Sequence, residues 1–403
     1  MALALCSLQA SGAIYETLPK GVRIGGYRHV FTGEINSSYG ANSSESTYAL
    51  KENLNARNLE TINDATKEYF NQLKEINPQA YEDFSFGEYS AEGKGEVSVN
   101  GFGLGWGLTN RLTAYFSVRV YSANVELSIE RTKGNNHQNT VNQLNQNTNL
   151  TSEQRLIKDI TAQLPDAKKE LLQSIIVNYY NYKPIGNWEA QGLGDLEVGA
   201  IYRLTDASNW GAAIAGGLVL PTGRIDDPDI LQDISFGDGQ TDVFAELLIG
   251  RRLFYKSIDL DLGIRYTYQT ASTKNLRVPE SYEFPLSKYK SDFKEKLGNK
   301  LELTVGPTFE INKQYSIAAA YGYQNQGKAK YESEHTLANE ILARNSDSES
   351  HNVKLSAQFN TVNLYKAHQF VMPLAVTLTG QKKIAGKNTP NNSQYEIDFK
   401  FFF

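Results

Sequence analysis

Residues 257–269, SIDLDLGIRYTYQ, alternate without a break. Ile258, Leu260, Leu262, Ile264, Tyr266 and Tyr268 form one row, and Asp259, Asp261, Gly263, Arg265, Thr267 and Gln269 form the other. Successive side chains of an extended chain point to opposite faces, so this stretch predicts a strand with one apolar and one polar face. The pattern returns at the C-terminus in NNSQYEIDFKFFF. There Tyr395, Ile397, Phe399, Phe401 and Phe403 alternate with Gln394, Glu396, Asp398 and Lys400, Phe402 being the exception. The same reading predicts twelve strands, near 22–36, 89–107, 111–131, 192–205, 209–221, 239–254, 257–271, 299–312, 314–330, 350–363, 368–383 and 393–403.

Composition narrows what these strands can build. Of 403 residues 40% are hydrophobic, but 24 Tyr and 18 Phe against 2 Met make that apolar content strongly aromatic, which suits strands and membrane interfaces. No stretch approaches the roughly 20 apolar residues of a spanning helix, so a helical membrane protein is excluded. A net charge of −5 offers nucleic acid no basic field, and no nucleic-acid partner is expected. The lone cysteine, Cys6, lies in the apolar run MALALCSLQASGA. We expect residues 1–13 to be a truncated signal peptide, a buried terminus or a lipoprotein Cys6 being the alternatives.

The connections alternate in length. Short turns fall at Thr109-Asn110, Asp206-Ala207-Ser208, Tyr255-Lys256, Asn312-Lys313 and Tyr365-Lys366-Ala367. Longer stretches cover roughly 37–88, 132–191, 222–238, 272–298, 331–349 and 384–392. Short turns on one side and long loops on the other are the pattern of a bacterial outer-membrane β-barrel. The expected fold is therefore all-β: a transmembrane antiparallel barrel of about twelve strands over residues 14–403, placed in the outer membrane of a Gram-negative bacterium. A closed barrel satisfies every backbone group internally.

Two long loops carry helical periodicity. Leu59, Ile62, Thr66, Tyr69, Phe70, Leu73 and Ile76 recur before Pro78, and Thr151 with Gln154 forms a capping box ahead of a second run interrupted at Pro165. The Asn/Gln-rich stretch GNNHQNTVNQLNQNTNLT is expected to be mobile. The helices either pack on each other above the rim or supply a lid. Two irregularities are expected in the strands. The apolar parity of 111–131 shifts from Phe116, Val118 and Val120 to Val125, Leu127 and Ile129, which suggests a bulge. Pro307 on an apolar row suggests a bulge or a locally unpaired site.

With the apolar rows facing lipid, the polar rows line the lumen. The candidates are Asp195, Glu197, Arg203, Glu246, Arg252, Asp259, Asp261, Arg265, Glu302, Glu310, Glu396, Asp398 and Lys400. Their roles are a salt-bridged interior and the electrostatic profile of a pore. Twelve strands fall between small filled barrels and open porins, so a narrow or plugged path is expected. No catalytic, cofactor or metal pattern emerges: the five histidines are scattered, without the spacing of H-E-x-x-H or the histidine–serine signature of outer-membrane phospholipases. The acidic stretch RIDDPDILQD, with Asp226, Asp227, Asp229 and Asp233, reads as a solvated turn rather than a calcium loop.

Three segments in order, GLGDLEVGAIYRL (192–204), GLVLPTGR (217–224) and GDGQTDVFAELLIGRRL (237–253), resemble the outer-membrane family associated with meta-pathway phenol degradation, grouped with transporters of aromatic and other hydrophobic compounds. The C-terminal stripe Tyr395, Ile397, Phe399, Phe401 and Phe403 resembles the targeting signal read by the barrel-assembly machinery. These resemblances imply a porin-like, non-enzymatic channel for small hydrophobic or aromatic molecules. The partners would be outer-membrane lipid and lipopolysaccharide, the assembly machinery and a small-molecule solute. The rival readings are a surface interaction protein anchored by its barrel, binding through loops 37–88 and 132–191, and a soluble periplasmic β-protein.

Overall fold

The structure is a computed structural model; it describes residues 14–403 apart from 62–63, 208, 254–256 and 283–285. The expected signal segment, 1–13, lies outside the described residues, as does Ile62 of the first helical run. Twelve strands close into one antiparallel barrel. They are β1 (Arg23–Thr32), β2 (Ser85–Thr109), β3 (Leu112–Lys133), β4 (Leu196–Asp206), β5 (Trp210–Leu220), β6 (Asp242–Leu253), β7 (Ile258–Gln269), β8 (Lys300–Glu310), β9 (Tyr315–Gln326), β10 (Ser348–Asn360), β11 (Leu374–Lys387) and β12 (Ser393–Phe402). Each pairs with its neighbour in sequence, and β12 pairs with β1 from Ile24↔Phe402 to Thr32↔Gln394. Closure leaves no barrel edge exposed to lipid.

Alternation decides which residues go where. On β7 Leu260, Tyr266 and Tyr268 are exposed on the outside while Asp259, Gly263, Arg265, Thr267 and Gln269 are buried inside. On β12 Tyr395, Phe401 and Phe403 face out, and Asp398 and Lys400 are buried within. Phe402, the exception in the stripe, turns inward onto an apolar cluster inside the barrel. Pro307 and Gly306 drop out of the β8–β9 ladder with no change of register, so the site is unpaired and not bulged. Proline without an N–H fits that gap.

The parity shift in β3 has a different cause from the bulge expected there. Pairing with β2 runs in one register from Tyr89↔Arg131 to Gly107↔Thr113, with no slip near Val120. Inward and outward positions also keep their alternation to Thr132. What changes is the medium. Eleven residues, the length of β4, rise about 3.3 Å each and at a tilt of about 40° cross an apolar band of about 25 Å. With 25 and 22 residues, β2 and β3 run far past that band. Beyond it the outward row becomes Ser122, Asn124, Glu126, Ser128 and Glu130, and the inward row becomes Ala123, Val125, Leu127 and Ile129. The register irregularity lies instead across from β3, where Trp188–Leu193 and β4 pair with it either side of Gly194 and Asp195.

Above the rim the long loops build their own apolar packing. Helices α1 (Asp64–Ile76), α2 (Pro78–Asp83), α3 (His137–Asn145) and α4 (Ser152–Gln163) bury Phe70, Leu73, Ile76, Tyr81, Phe84 and Leu144 against one another. Each such side chain contributes about 1.5–3 kcal/mol of burial. The capping box of α4 is present: Gln154 N donates to Thr151 Oγ1 over 3.2 Å, and Thr151 N donates to Gln154 Oε1 over 3.1 Å. The Asn/Gln-rich stretch expected to be mobile holds α3, because Val141 and Leu144 share one buried face. Two three-stranded sheets outside the barrel complete the loops. One joins Ala271–Arg277, Lys290–Lys296 and Lys330–Glu332; the other joins Ser37–Tyr39, Glu45–Thr47 and Thr389–Asn391.

Candidate functional site

The inner face of the barrel is small on one side. β5 turns Ala213, Ala215 and Gly217 inward, and a Cβ on Gly217 would meet the Phe244 ring of β6 at 2.8 Å. That space lets a long side chain lie across the wall. Arg265 of β7 uses it: its guanidinium sits 3.8 Å from the centre of the Phe244 ring and reaches Glu197 of β4, Nη2 to Oε2 at 2.9 Å. Glu246 and Glu302 flank Arg265 directly on the neighbouring strands. Arg119 approaches Glu197 at 3.6 Å and Tyr115 donates its hydroxyl to it over 3.0 Å. Glu197 and Arg265 are both buried, so the pair rests on this full set of partners.

Two further clusters lie elsewhere on the barrel wall. At the seam of β1 and β12, Arg28 meets Glu396 at 3.1 Å and Asp398 at 3.3 Å, and Lys400 meets Asp398 at 3.3 Å. Toward the short turns Arg252 donates to Asp259 through two bonds of 2.8 Å and to Glu310 at 3.2 Å. Arg203 donates to the Asn110 carbonyl, and Asp261 accepts the Ile14 N–H at 3.4 Å. Two of these cations, Arg28 and Arg119, were not singled out by the sequence; Arg119 stands between Val118 and Val120, an alternation that already marked it as inward.

Asp195 has a different job from the strand carboxylates. It sits in the break before β4 and accepts the N–H of Gly223 at 2.9 Å and of Asp238 at 3.3 Å. Thr222 Oγ1 accepts from Leu196 N and donates to the Gly194 carbonyl. The three segments that carry the family resemblance therefore meet at one point. Gly223 and Gly237 touch there backbone to backbone, and a Cβ on Gly223 would fall 2.7 Å from the Gly237 Cα.

Residues 14–22 occupy the lower half of the lumen. Ile14, Tyr15 and Leu18 pack with Tyr115, Ile201, Ala213, Ala215, Phe244, Leu248 and the inward Phe402. Leu18 N donates to Thr113 Oγ1 over 2.8 Å, Lys20 N donates to Asn110 Oδ1, and a Cβ on Gly211 would collide with the Tyr15 ring. Two chambers are stacked over this segment. The upper, about 540 Å³, is walled by Val30, Val97, Val99, Tyr121 and Phe236 beside Asp195, Glu197, Asp238, Asp242, Arg119 and Lys383. The lower, about 330 Å³, holds Ile14, Arg28, Glu246, Arg265, Glu302 and Glu396. A ring of Val30, Arg265, Gln324, Asn352, Gln381 and Gln394 belongs to both. Among the described residues, no helix contributes to the upper chamber, so the helices pack on each other above the rim and the lumen is narrowed by the N-terminal segment instead. A third cavity, of about 140 Å³, opens beside Asp259, Asp261 and Glu310 near the short turns.

The acidic stretch is not a solvated turn. Asp233 binds Arg224 at 2.6 Å, Asp227 binds Lys183 at 2.7 Å, and Asp229 takes Arg277 at 2.5 Å and Lys290 at 2.9 Å. The Lys183 bond holds Asp227 below the usual carboxylate range. Arg224 belongs to the stretch itself, while Lys183, Arg277 and Lys290 come from two other loops, so these three cations tie the extracellular loops together.

Comparison with solved structures places this geometry. An outer membrane channel from Pseudomonas putida F1 aligns over 96% of this chain and 98% of its own, at 13% identity and a TM-score of 0.53. The fold is that of a bacterial outer-membrane β-barrel. The resemblance carried by the three glycine-bearing segments thus holds at the level of the fold. A toluene transporter from Ralstonia pickettii (8% identity, 97% of this chain and 92% of its own, TM-score 0.36) and a monoaromatic hydrocarbon channel (9%, 96% and 89%, TM-score 0.34) are more distant. No family model and no curated protein matches the sequence.

Proposed function

We propose that the barrel is a passive, non-enzymatic channel for small solutes with an apolar, including aromatic, body. The observation that carries this reading is the stack of two chambers inside the barrel, joined through one shared ring. Each has the volume of a small-molecule site, and the upper one opposes an apolar wall to a polar one. A solute would enter between the extracellular loops, rest its apolar body on Val97, Val99 and Phe236, and pass the ring beside Arg265 toward the periplasm. Glu197, Glu246, Arg265, Glu302, Glu396 and Asp398 would set the electrostatic profile of that path, while Arg203, Arg252, Asp259, Asp261, Glu310 and Lys400 would brace its lower half and Asp195 its upper turn. Tyr395, Ile397, Phe399, Phe401 and Phe403 would present the stripe that the assembly machinery reads. The P. putida structure, described as a channel, supports the same reading by fold.

The test is conductance in planar bilayers, with a variant in which Ile14, Tyr15 and Leu18 become Ser. Discrete steps in the parent that grow in the variant are expected. Silence in both would sink the channel and favour a barrel that anchors surface loops.

A further inference from the structure

The upper chamber holds one cation without an acid to answer it. Lys383 is 9% exposed, and its ammonium donates only to Thr389 Oγ1 and the Pro390 carbonyl, each at 2.6 Å. Among the described residues no carboxylate lies within ion-pair distance of it. An ammonium has three donors, so one is left over. Ordinary alternation turns this side chain inward: Thr377, Thr379, Gln381 and Lys383 share one row, Lys383 lies opposite Asn352, and the register shift with β10 falls only beyond it, leaving Ile384 exposed outside. A buried charge without a counter-ion is costly.

Its surroundings describe what would fit. Ser350, Asn352, Gln381 and Asn392 beside it are neutral hydrogen-bonding groups, and Val30, two strands along the wall, starts the apolar patch that continues to Val97 and Val99. The far wall has the opposite character. Asp242, five strands away, is 3% exposed; its Oδ2 accepts from Gln269 at 3.2 Å, while Oδ1 has no hydrogen-bond partner. Asp238 shares the same Gln269 amide at 3.0 Å, with Lys300 3.9 Å away.

We propose that the upper chamber is a binding site for small monocarboxylates with an apolar body, the carboxylate on Lys383 Nζ and the body on Val30, Val97 and Val99. Asp242 and Asp238 repel a second negative charge and accept from any hydroxyl or N–H at the solute's far end. The inference names the solute class of the proposed channel and rests on that reading for its meaning, while its test is independent of conduction.

Calorimetric titration of the purified full chain in a zwitterionic detergent would use three probes of one shape: benzoate, benzyl alcohol and benzylamine. Benzoate should bind tightest. Lys383→Met should weaken benzoate by about tenfold or more, the loss expected of one charge-assisted hydrogen bond, and leave benzyl alcohol within about twofold. Lys383→Arg should keep most of the benzoate affinity, and the heat-modifiable gel shift confirms that each variant is folded. Equal binding of benzoate and benzyl alcohol, tighter binding of benzylamine, no binding of benzoate, or an unchanged Lys383→Met would each overturn the site. Bilayer conductance run in parallel reports the channel alone: benzoate binding without current would remove the channel and keep the site, and current without benzoate binding would do the reverse.

Discussion

The β2–β3 hairpin passes through two environments without changing its geometry. Within the membrane its outward row is Phe102, Leu104, Trp106, Leu108, Phe116 and Val118, and its inward row holds Thr113, Ser117 and Arg119. Past the membrane the outward row is Glu92, Lys94, Glu96, Glu126 and Glu130, and the inward row turns to Tyr89, Val125, Leu127 and Ile129. Lys94 bridges Glu34 and Glu126 on that wet outer face. The hydrophobic effect acts on whichever face is away from water, so one period of two is written with opposite signs in the two halves.

Substitutions on each face of each region would break or sharpen this contrast. The largest effect is expected inside the membrane half: Arg265→Met leaves Glu197, Glu246 and Glu302 short of a buried cation and should destabilise the barrel by about 3–5 kcal/mol, read as a lower temperature for the heat-modifiable gel shift. In the apolar packing above the membrane, Leu144→Ala should cost about 2–5 kcal/mol locally. Limited proteolysis should then cut within 37–88 and 132–191 while the barrel's gel shift stays put. On the outer face Phe116→Arg, at the middle of the lipid-facing row, should cost about 2–4 kcal/mol in lipid vesicles. Ser128→Arg on the same row beyond the membrane should stay within about 0.5 kcal/mol. Equal costs for these two would mean that the hairpin does not leave the bilayer where its polarity inverts.

The smallest effect is a pH dependence confined to the loops. Asp166 is held below the usual carboxylate range by its bond to Arg131 of the β3 extension. A depressed carboxylate contributes stability that is present above its unfolded value near pH 4 and is lost as pH falls through the lower folded value. Acidification below about pH 4 should therefore loosen the segment around Asp166, seen as faster amide exchange at 164–170, before the barrel changes.

Much of this architecture was legible because a strand's period is local. Ile258 to Gln269 declares its two faces with no knowledge of the rest of the chain, and the twelve observed strands lie within a few residues of those read from the sequence, β11 being displaced the most. The period does not say which medium each face meets, and that is why the inversion near Ser122 read as a bulge. Helix α3 was hidden by composition: two buried apolar residues, Val141 and Leu144, dock it beside the buried Thr140, and Asn and Gln make up most of the rest. The segment 14–22 was missed because its role is set by contacts with Tyr115, Phe244 and Phe402, far away in sequence. Lys383 continues the inward row of Thr377, Thr379 and Gln381, but the adjacent Lys382 blurs that alternation, and only the pairing of Lys383 with Asn352 shows which of the two lysines turns in.

The ring shared by the two chambers has a consequence for rate. In the proposed channel a solute would wait in the upper chamber until the lower one is vacant, because Val30, Arg265, Gln324, Asn352, Gln381 and Gln394 line both. Traffic through such a path queues. Flux would climb with concentration only until the upper berth is always taken and would then level off, and unlike molecules would slow each other by competing for the same place in line.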